Sequence, residues 1–194
     1  MTIDAAALTP SQAARRARVL TAALALAAEG GYDAVQMRDV ARRSRVALGT
    51  IYRYFASKDH LLAECQLETW RSMGARLAAR PLEGDTAADR VMDLIRRVMR
   101  TVERQPQQAA ALITASSSPD PAVRDCQVQM IAAQDATLAL AMGDLGPERT
   151  LDVARTVRYV WFATLLGWVN GWNDFDAITR EMDAAVRLLL AGRR

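Results

Sequence analysis

Side chains between residues 48 and 58 have the types and spacing that a protein surface needs to contact a nucleic acid. Gly49 permits close approach of the backbone, and Thr50 and Tyr52 can hydrogen-bond to phosphate oxygens. Arg53 can bind either a phosphate or the edge of a base. The predicted DNA-contacting residues are Arg38, Leu48, Gly49, Thr50, Tyr52, Arg53, Tyr54 and Lys58.

Lys58 is the only lysine of the chain, and it stands in the first turn of a predicted helix. The helix macrodipole disfavours a cation at that position, so a phosphate partner would explain the placement. The alternative is a plain three-helix core with an aromatic plug formed by Tyr52, Tyr54 and Phe55. In that interpretation Lys58 is a solvated surface charge.

The charge of the chain is concentrated in its first third. Residues 1–60 carry nine basic and five acidic side chains, a net charge of +4, whereas the remaining residues sum to −1. A positive segment of this kind favours a polyanionic partner at that end of the chain.

Two short helices joined by a tight turn are predicted to position these side chains, over 37–43 and 48–54. Val40 and Ile51 face each other in this arrangement, as a helix-turn-helix requires. Arg45 occupies the turn position where glycine is common. A left-handed conformation at a non-glycine residue costs roughly 1–2 kcal/mol.

The sequence predicts an all-α fold over the whole chain. Hairpin turn signals and long apolar–polar alternation are absent, and strong helix formers dominate. Thr9, Pro10 and Gln12 form a capping-box helix start, and Gly30-Gly31 ends that helix. About nine helices are predicted, over 10–29, 37–43, 48–54, 58–79, 85–104, 107–115, 119–142, 147–171 and 174–191.

The segments 30–35 (GGYDAV) and 48–59 (LGTIYRYFASKD) resemble the TetR family of bacterial transcriptional regulators. A narrower similarity within the family, over 30–38 and 46–55, is to actinobacterial repressors of cholesterol catabolism. The resemblance implies a regulator, expected to be a repressor, with an N-terminal three-helix DNA-binding domain and a helical ligand-binding and dimerisation domain. We place these domains at 1–57 and 58–194.

The helix over 147–171 predicts a homodimer. Its segment 157–169 is apolar nearly all round, so it must be buried on every side, against its own domain and against a second copy. The last helix adds Val186, Leu189 and Leu190 to a four-helix interface. The alternative is that the tryptophans of this region belong to the core of one chain. Two copies of one recognition helix around a two-fold axis require a palindromic site on double-stranded DNA.

An apolar small-molecule effector is also predicted, either a steroid or a fatty acyl-coenzyme A, with the helix that starts at Lys58 as the lever that transmits its binding. Leaving polar groups of a ligand unpaired in an apolar pocket would cost about 1–3 kcal/mol each. Control by a protein partner without a small ligand is the alternative. The predicted pocket residues are Trp70, Met73, Leu77, Met92, Met99, Trp161, Leu165 and Trp168.

Several classes of function are excluded by what the sequence lacks. The 194 residues contain no catalytic motif, so neither an enzyme nor a cofactor is expected. One histidine and two cysteines are too few for a zinc site, and two free thiols are typical of the cytosol. Residues 1–14 show no secretory pattern and no apolar run is long enough to span a membrane, which predicts a cytoplasmic protein.

Overall fold

A computed structural model describes residues 8–143 and 145–191. Within those residues every regular element is an α-helix, which confirms the predicted fold class. The expectation of no secretory segment falls partly on residues 1–7, outside the described residues. The ten helices are α1 Pro10–Ala34, α2 Met37–Ser44, α3 Leu48–Tyr54, α4 Lys58–Arg71, α5 Met73–Ala79, α6 Ala87–Arg104, α7 Pro106–Ser116, α8 Pro121–Met142, α9 Pro147–Val169 and α10 Phe175–Leu190.

The predicted helix over 58–79 occurs as two helices, α4 and α5, separated by Ser72 alone. Counting them as one gives the nine helices that were predicted. The helical φ and ψ of Ser72, −74° and −12°, explain why the sequence carries no signal of a break there.

Local capping signals predicted several helix ends correctly. The Thr9 side chain and Gln12 form the reciprocal capping box at the start of α1, and Asp174 caps α10 by accepting from the backbone N–H of Ala177. Gly31 has a φ of 68°, which breaks the regular helix where predicted, although one further turn follows to Ala34. At α8 the cap is Asp120, whose Oδ1 accepts the backbone N–H of Ala122 over 2.9 Å.

The chain divides into two compact units. The first comprises Met1–Thr69 with Gln105–Gln129, and the second comprises Trp70–Arg104 with Met130–Arg194. The predicted boundary after residue 57 differs from this division. As a separation between DNA-binding and effector-binding functions, that boundary stays a prediction.

The first unit is built around α1, which packs against α2, α3 and α7. Ala23 and Ala27 of α1 are fully buried, as are Ala111 and Ala115 of α7. Small side chains at these positions let the two helices approach closely. Because α7 completes this core, it belongs to the N-terminal unit although it follows that unit's other helices by more than thirty residues.

The second unit places α10 against both α6 and α9. Ile178, Met182 and Val186 of α10 are fully buried at i, i+4 and i+8, as one face of a helix requires. Thr86 caps α6, since its Oγ1 accepts the backbone N–H of Asp89 over 3.1 Å. Among the described residues, no helix combines the length and apolar character needed to cross a bilayer.

Candidate nucleic-acid interface and effector cavity

The helix-turn-helix predicted from the sequence is present as α2 and α3 in the first unit. Val40 and Ile51 are fully buried, and Val46 in the turn is 5% exposed. Arg45 has a φ of 54°, which confirms the left-handed turn, and the next backbone N–H, from Val46, donates to the carbonyl of Ala41 over 3.2 Å. These contacts fix the direction of α3 relative to α2.

The outer face of α3 presents the side chains expected of a recognition helix. Tyr52 is half exposed and Arg53 is exposed, while Thr50 is partly buried. A methyl group added at Gly49 would meet no atom within 4 Å, so nothing inside the chain requires glycine there. Arg38 on α2 is also exposed. This surface can approach a groove and hydrogen-bond to phosphates or bases.

Two predicted contact residues lie elsewhere. Tyr54 is only 5% exposed and belongs to the core, because it stands three residues after Ile51 on the inward face of α3. Its neighbour Phe55 is buried as well, with ring centroids 6.2 Å apart. Leu48 is partly buried and packs against the same core. The aromatic plug was therefore correct for Tyr54 and Phe55, but not for Tyr52.

Lys58 has partners inside the chain that the sequence did not reveal. Its Nζ donates to the backbone carbonyl of Tyr32 over 3.3 Å and lies 3.6 Å from the centroid of the Tyr32 ring. The Tyr32 hydroxyl donates to Asp59, and burial together with this carboxylate raises the pKa of Tyr32 to about 12. These contacts account for a cation in the first turn of α4 without a phosphate.

Ser57 and His60 organise the junction between α3 and α4. The Ser57 Oγ accepts the backbone N–H of His60 over 3.0 Å and so caps α4. The His60 Nδ1 accepts the backbone N–H of Ala56, also over 3.0 Å. His60 is therefore a buried structural residue and does not lie on the DNA-facing surface.

One group of side chains in the described part of the chain brings together metal-binding atom types. His60, Glu64 and Cys126 hold ligand-type atoms within 4.8 Å of one another. Because the His60 Nδ1 accepts a backbone N–H, the proton of its neutral ring lies on Nε2, which cannot then bind a metal. Glu64 is also ion-paired with Arg16. Burial and the Glu64 carboxylate raise the pKa of Cys126 to about 12, so its thiol stays protonated. The donor set therefore fits a structural polar cluster better than a metal centre.

The second unit contains an apolar cavity of about 30 Å³. Two of the predicted pocket residues, Trp70 and Trp161, line it. The other six predicted pocket residues do not line it: Met73, Leu77, Met92, Met99, Leu165 and Trp168. All but Trp168 are at least nine-tenths buried in packed parts of the chain, and Trp168 stacks against Phe175 with ring centroids 5.0 Å apart.

Sequence reasoning missed most of the cavity wall. On α6 the wall is formed by Leu94, Ile95 and Val98, and not by the predicted Met92 and Met99. Residues of α8 and α10 also contribute to the wall. Apolar periodicity marks a buried helix face, but it does not tell which buried residues border an empty space. The residues missed are Leu94, Ile95, Val98, Gln134, Leu138, Val157, Arg158 and Met182.

Among the described residues that line this wall, Arg158 is the only one with a charged side chain. Its Nε lies 3.1 Å from the Oδ1 of Asp135 on α8. The two side chains are 14% and 25% exposed, so this ion pair is largely shielded from solvent.

Large apolar side chains remain exposed on α9 and α10 in the single chain. Tyr159 is 65% exposed, Leu151 is 59% exposed and Phe162 is 39% exposed, and all three are on α9. Leu188 on α10 is 79% exposed. Leu151, Tyr159 and Phe162 recur at intervals of eight and three residues, which places them along one side of the helix.

Comparison with known proteins identifies the chain. Residues 19–65 match the bacterial regulatory proteins of the tetR family, and residues 84–189 match the tetracyclin repressor-like C-terminal domain. The chain belongs to the TetR family. It is a transcriptional regulator similar to the repressor KstR of Mycolicibacterium smegmatis, with 35% identity over 93% of this chain and 89% of the relative. The narrower resemblance seen in the sequence is thereby confirmed.

Solved structures of TetR-family regulators share this fold. A TetR regulator from Rhodococcus sp. RHA1 is 30% identical and superposes with a TM-score of 0.84, covering 95% of this chain and all of that chain. The repressor FadR of Thermus thermophilus, in complex with lauroyl-CoA, is 19% identical with a TM-score of 0.64 over 92% of this chain and 95% of that chain. The latter likeness concerns the fold alone.

Proposed function

We propose that the chain represses transcription by binding a palindromic DNA operator as a homodimer, and that a largely apolar effector releases it. The effector class is a steroid or a fatty acyl-coenzyme A. The observation that carries the DNA-binding part is the outer face of α3. A helix anchored by the buried Ile51 and Tyr54 holds Tyr52, Arg53 and the unobstructed Gly49 at the surface.

The contact residues of this proposal are Arg38, Gly49, Thr50, Tyr52, Arg53 and Lys58. Gly49 and Thr50 would face the groove floor, whereas Tyr52 would bind phosphates and Arg53 a phosphate or a base. Lys58 would bind a phosphate by exchanging its contact with the Tyr32 carbonyl for one with DNA. The DNA-binding domain would comprise residues 1–57, and the effector-binding domain would comprise residues 58–194. Helix α4, which is continuous over residues 58–71, would be the lever that transmits effector binding to the DNA-binding domain.

The homodimer is supported by the exposed apolar side of α9 and by Leu188 on α10. Exposed Tyr159 and Phe162 would be removed from water by the same residues of a second copy, in an interface that is self-complementary. Two recognition helices related by the resulting two-fold axis would require an inverted repeat in the operator.

The effector class is supported by the apolar wall of the cavity in the second unit. The similarity to KstR and the lauroyl-CoA held by FadR, a protein of the same fold, favour the same class. A volume of about 30 Å³ has room for about one or two water molecules, so the ligand must open the cavity as it binds. This opening would favour the conformer whose recognition helices no longer fit the operator.

The test begins with selection of duplexes from a random pool by the purified chain, which should return an inverted repeat. Tyr52→Phe combined with Lys58→Ala should then weaken binding to all sequences. Loss of one phosphate contact at Lys58 in each of the two copies should make the slope of log K against log salt concentration less negative by about 1.8. Arg124→Ala removes an exposed arginine of α8 and serves as the control. Equal affinity of the double variant and the parent at matched salt would contradict the contact assignment.

A second candidate, control by a protein partner, is favoured by the small volume of the cavity. The two candidates differ in thermal shift. A steroid or lauroyl-CoA should raise the melting temperature of the parent if a small effector acts, because a ligand that binds only the folded state stabilises it. No shift with either compound, together with retained operator binding, would support the protein-partner candidate.

A further inference from the structure

The side chain of Arg158 makes an incomplete set of contacts in the cavity wall. Its Nε is directed at Asp135 over 3.1 Å, and within the described residues this is the one hydrogen bond of the guanidinium. A guanidinium has five N–H donors, so the two terminal nitrogens keep four of them without a hydrogen-bond acceptor from the described chain. Arg158 is nevertheless held in place, because the ion pair joins α8 and α9.

We propose that Arg158 binds the carbonyl-type oxygen of an apolar effector through its terminal nitrogens, with Asp135 as the positioning residue that orients the guanidinium. This inference rests on the proposed function and names the polar group of the ligand. The planar fork of arginine suits a carboxylate or a thioester carbonyl. Asp135 offsets the positive charge, so the acceptor need not be an anion.

A second arginine of α9 shows what is particular about Arg158. Arg155 pairs with Asp152 over 2.7 Å, but those side chains are 60% and 69% exposed. Surface pairs of this kind contribute little and face water. Arg158, whose ion pair with Asp135 is largely shielded from solvent, stands in a wall that is otherwise apolar apart from Gln134. An arginine of α9 therefore pairs with an aspartate twice, once within α9 at the surface and once with Asp135 of α8 beside the cavity.

The remaining wall defines the other end of the ligand. Trp70, Ile95, Leu138 and Trp161 come from α4, α6, α8 and α9, and they offer aromatic and aliphatic surface to a hydrocarbon body. A ligand that combines such a body with one carbonyl oxygen satisfies both parts of the site. A purely apolar molecule would leave the terminal nitrogens of Arg158 without an acceptor once it displaced water, which is unfavourable.

The experiment compares laurate, lauroyl-CoA and 1-dodecanol, whose dissociation constants for the full chain are measured by calorimetry. The parent should bind laurate or lauroyl-CoA about tenfold or more tightly than dodecanol, as expected for a charge-assisted hydrogen bond. Arg158→Gln should remove most of this preference and leave dodecanol binding nearly unchanged. Arg155→Gln is the matched control and should keep the parental preference. Whichever of laurate and lauroyl-CoA responds identifies the source of the oxygen.

Arg158→Gln leaves Asp135 without its partner, so the double variant Asp135→Asn/Arg158→Gln is measured beside it. Circular dichroism and melting temperature check the fold of each variant. Asp135→Asn alone should retain a reduced preference, because the guanidinium remains but is less well oriented. An unchanged preference in the folded double variant overturns the inference. A parent that binds none of the three probes overturns the inference. The effector part of the proposed function is tested separately by the thermal shift with a steroid, and operator selection tests the DNA-binding part.

Discussion

The Ser57 Oγ donates a hydrogen bond to the Asp120 Oδ2 over 2.6 Å, joining residues that are 63 positions apart in the sequence. Each of the two residues also caps a helix. Ser57 accepts the backbone N–H of His60 at the start of α4, and Asp120 accepts that of Ala122 at the start of α8. One hydrogen bond therefore ties together two helix starts, and it fixes the position of the residue immediately before Lys58.

Asp120→Ala should destabilise the chain by about 1 kcal/mol at pH 7, because it removes both a helix cap and the acceptor for Ser57. The free energy of unfolding is measured by urea denaturation. Asp125→Ala is the control, since Asp125 is an exposed residue of the same helix that caps nothing. Equal losses in the two variants would mean that the cap of α8 contributes no stability.

The effect of Asp120 should depend on pH. The Ser57 hydroxyl and the Ala122 backbone N–H lower the pKa of Asp120 below its ordinary value. The stabilisation is therefore fully present above the unfolded pKa of about 3.9 and is lost as the pH falls through the lower folded pKa. The stability difference between the parent and Asp120→Asn should shrink in this acidic range. A difference that stays constant from pH 7 to pH 3 would contradict the lowered pKa.

Local signals in the sequence were sufficient for the helices and the helix-turn-helix. The capping residues Thr9 and Asp174 interact with backbone groups within three residues, so their role can be read without tertiary information. Arg45 was likewise identified as the left-handed residue from its place in the turn. The assignment of α7 to the N-terminal unit could not be predicted. Alanines such as Ala111 and Ala115 occur in many helices, and they do not indicate which helix packs against them.

The cavity was the least predictable feature. Met92 and Met99 were expected in its wall because methionine is an adaptable side chain that suits an irregular pocket. They are buried, whereas Ile95 and Val98 border the cavity. The difference depends on how α6 is rotated relative to its neighbours. That rotation is set by packing over the whole unit and not by the periodicity of one helix.

Gly49→Ala should separate stability from DNA affinity. The added methyl group meets no atom within 4 Å, and alanine favours the helix by up to about 1 kcal/mol, so the melting temperature should stay the same or rise. Operator affinity should fall about tenfold, because close approach to the groove is lost. Gly74→Ala is a matched control, since Gly74 is also the second residue of a seven-residue helix with open space around it. Parental affinity for Gly49→Ala would remove this residue from the groove surface.

Leu188→Glu should give monomers in analytical ultracentrifugation. An unpaired carboxylate buried in an apolar interface costs about 3–5 kcal/mol, which corresponds to a weakening of dimerisation by more than about a hundredfold. Leu188 suits this test because it is 79% exposed in the single chain and its substitution spares the core. Leu140→Glu introduces the same charge at a residue of α8 that is 68% exposed, and it should leave the dimer intact. A dimer that survives Leu188→Glu would place the interface elsewhere.

Val98→Phe should fill the cavity and make the chain insensitive to its effector. Val98 is partly buried in the cavity wall, so the larger ring is expected to occupy the space of about 30 Å³ that a ligand must enlarge. Operator affinity should remain parental, while lauroyl-CoA should no longer release the DNA in an electrophoretic mobility-shift assay.

Val102→Phe is the control for the added volume. Val102 stands one turn later on α6, is 9% exposed and does not line the cavity. Overpacking there should cost about 1–3 kcal/mol of stability and leave the response to lauroyl-CoA intact. Loss of response in Val98→Phe but not in Val102→Phe would therefore assign the effector to the cavity. If Val98→Phe is released from DNA at the same lauroyl-CoA concentration as the parent, the effector acts at another site, since a ligand cannot share a space that the phenylalanine ring already fills.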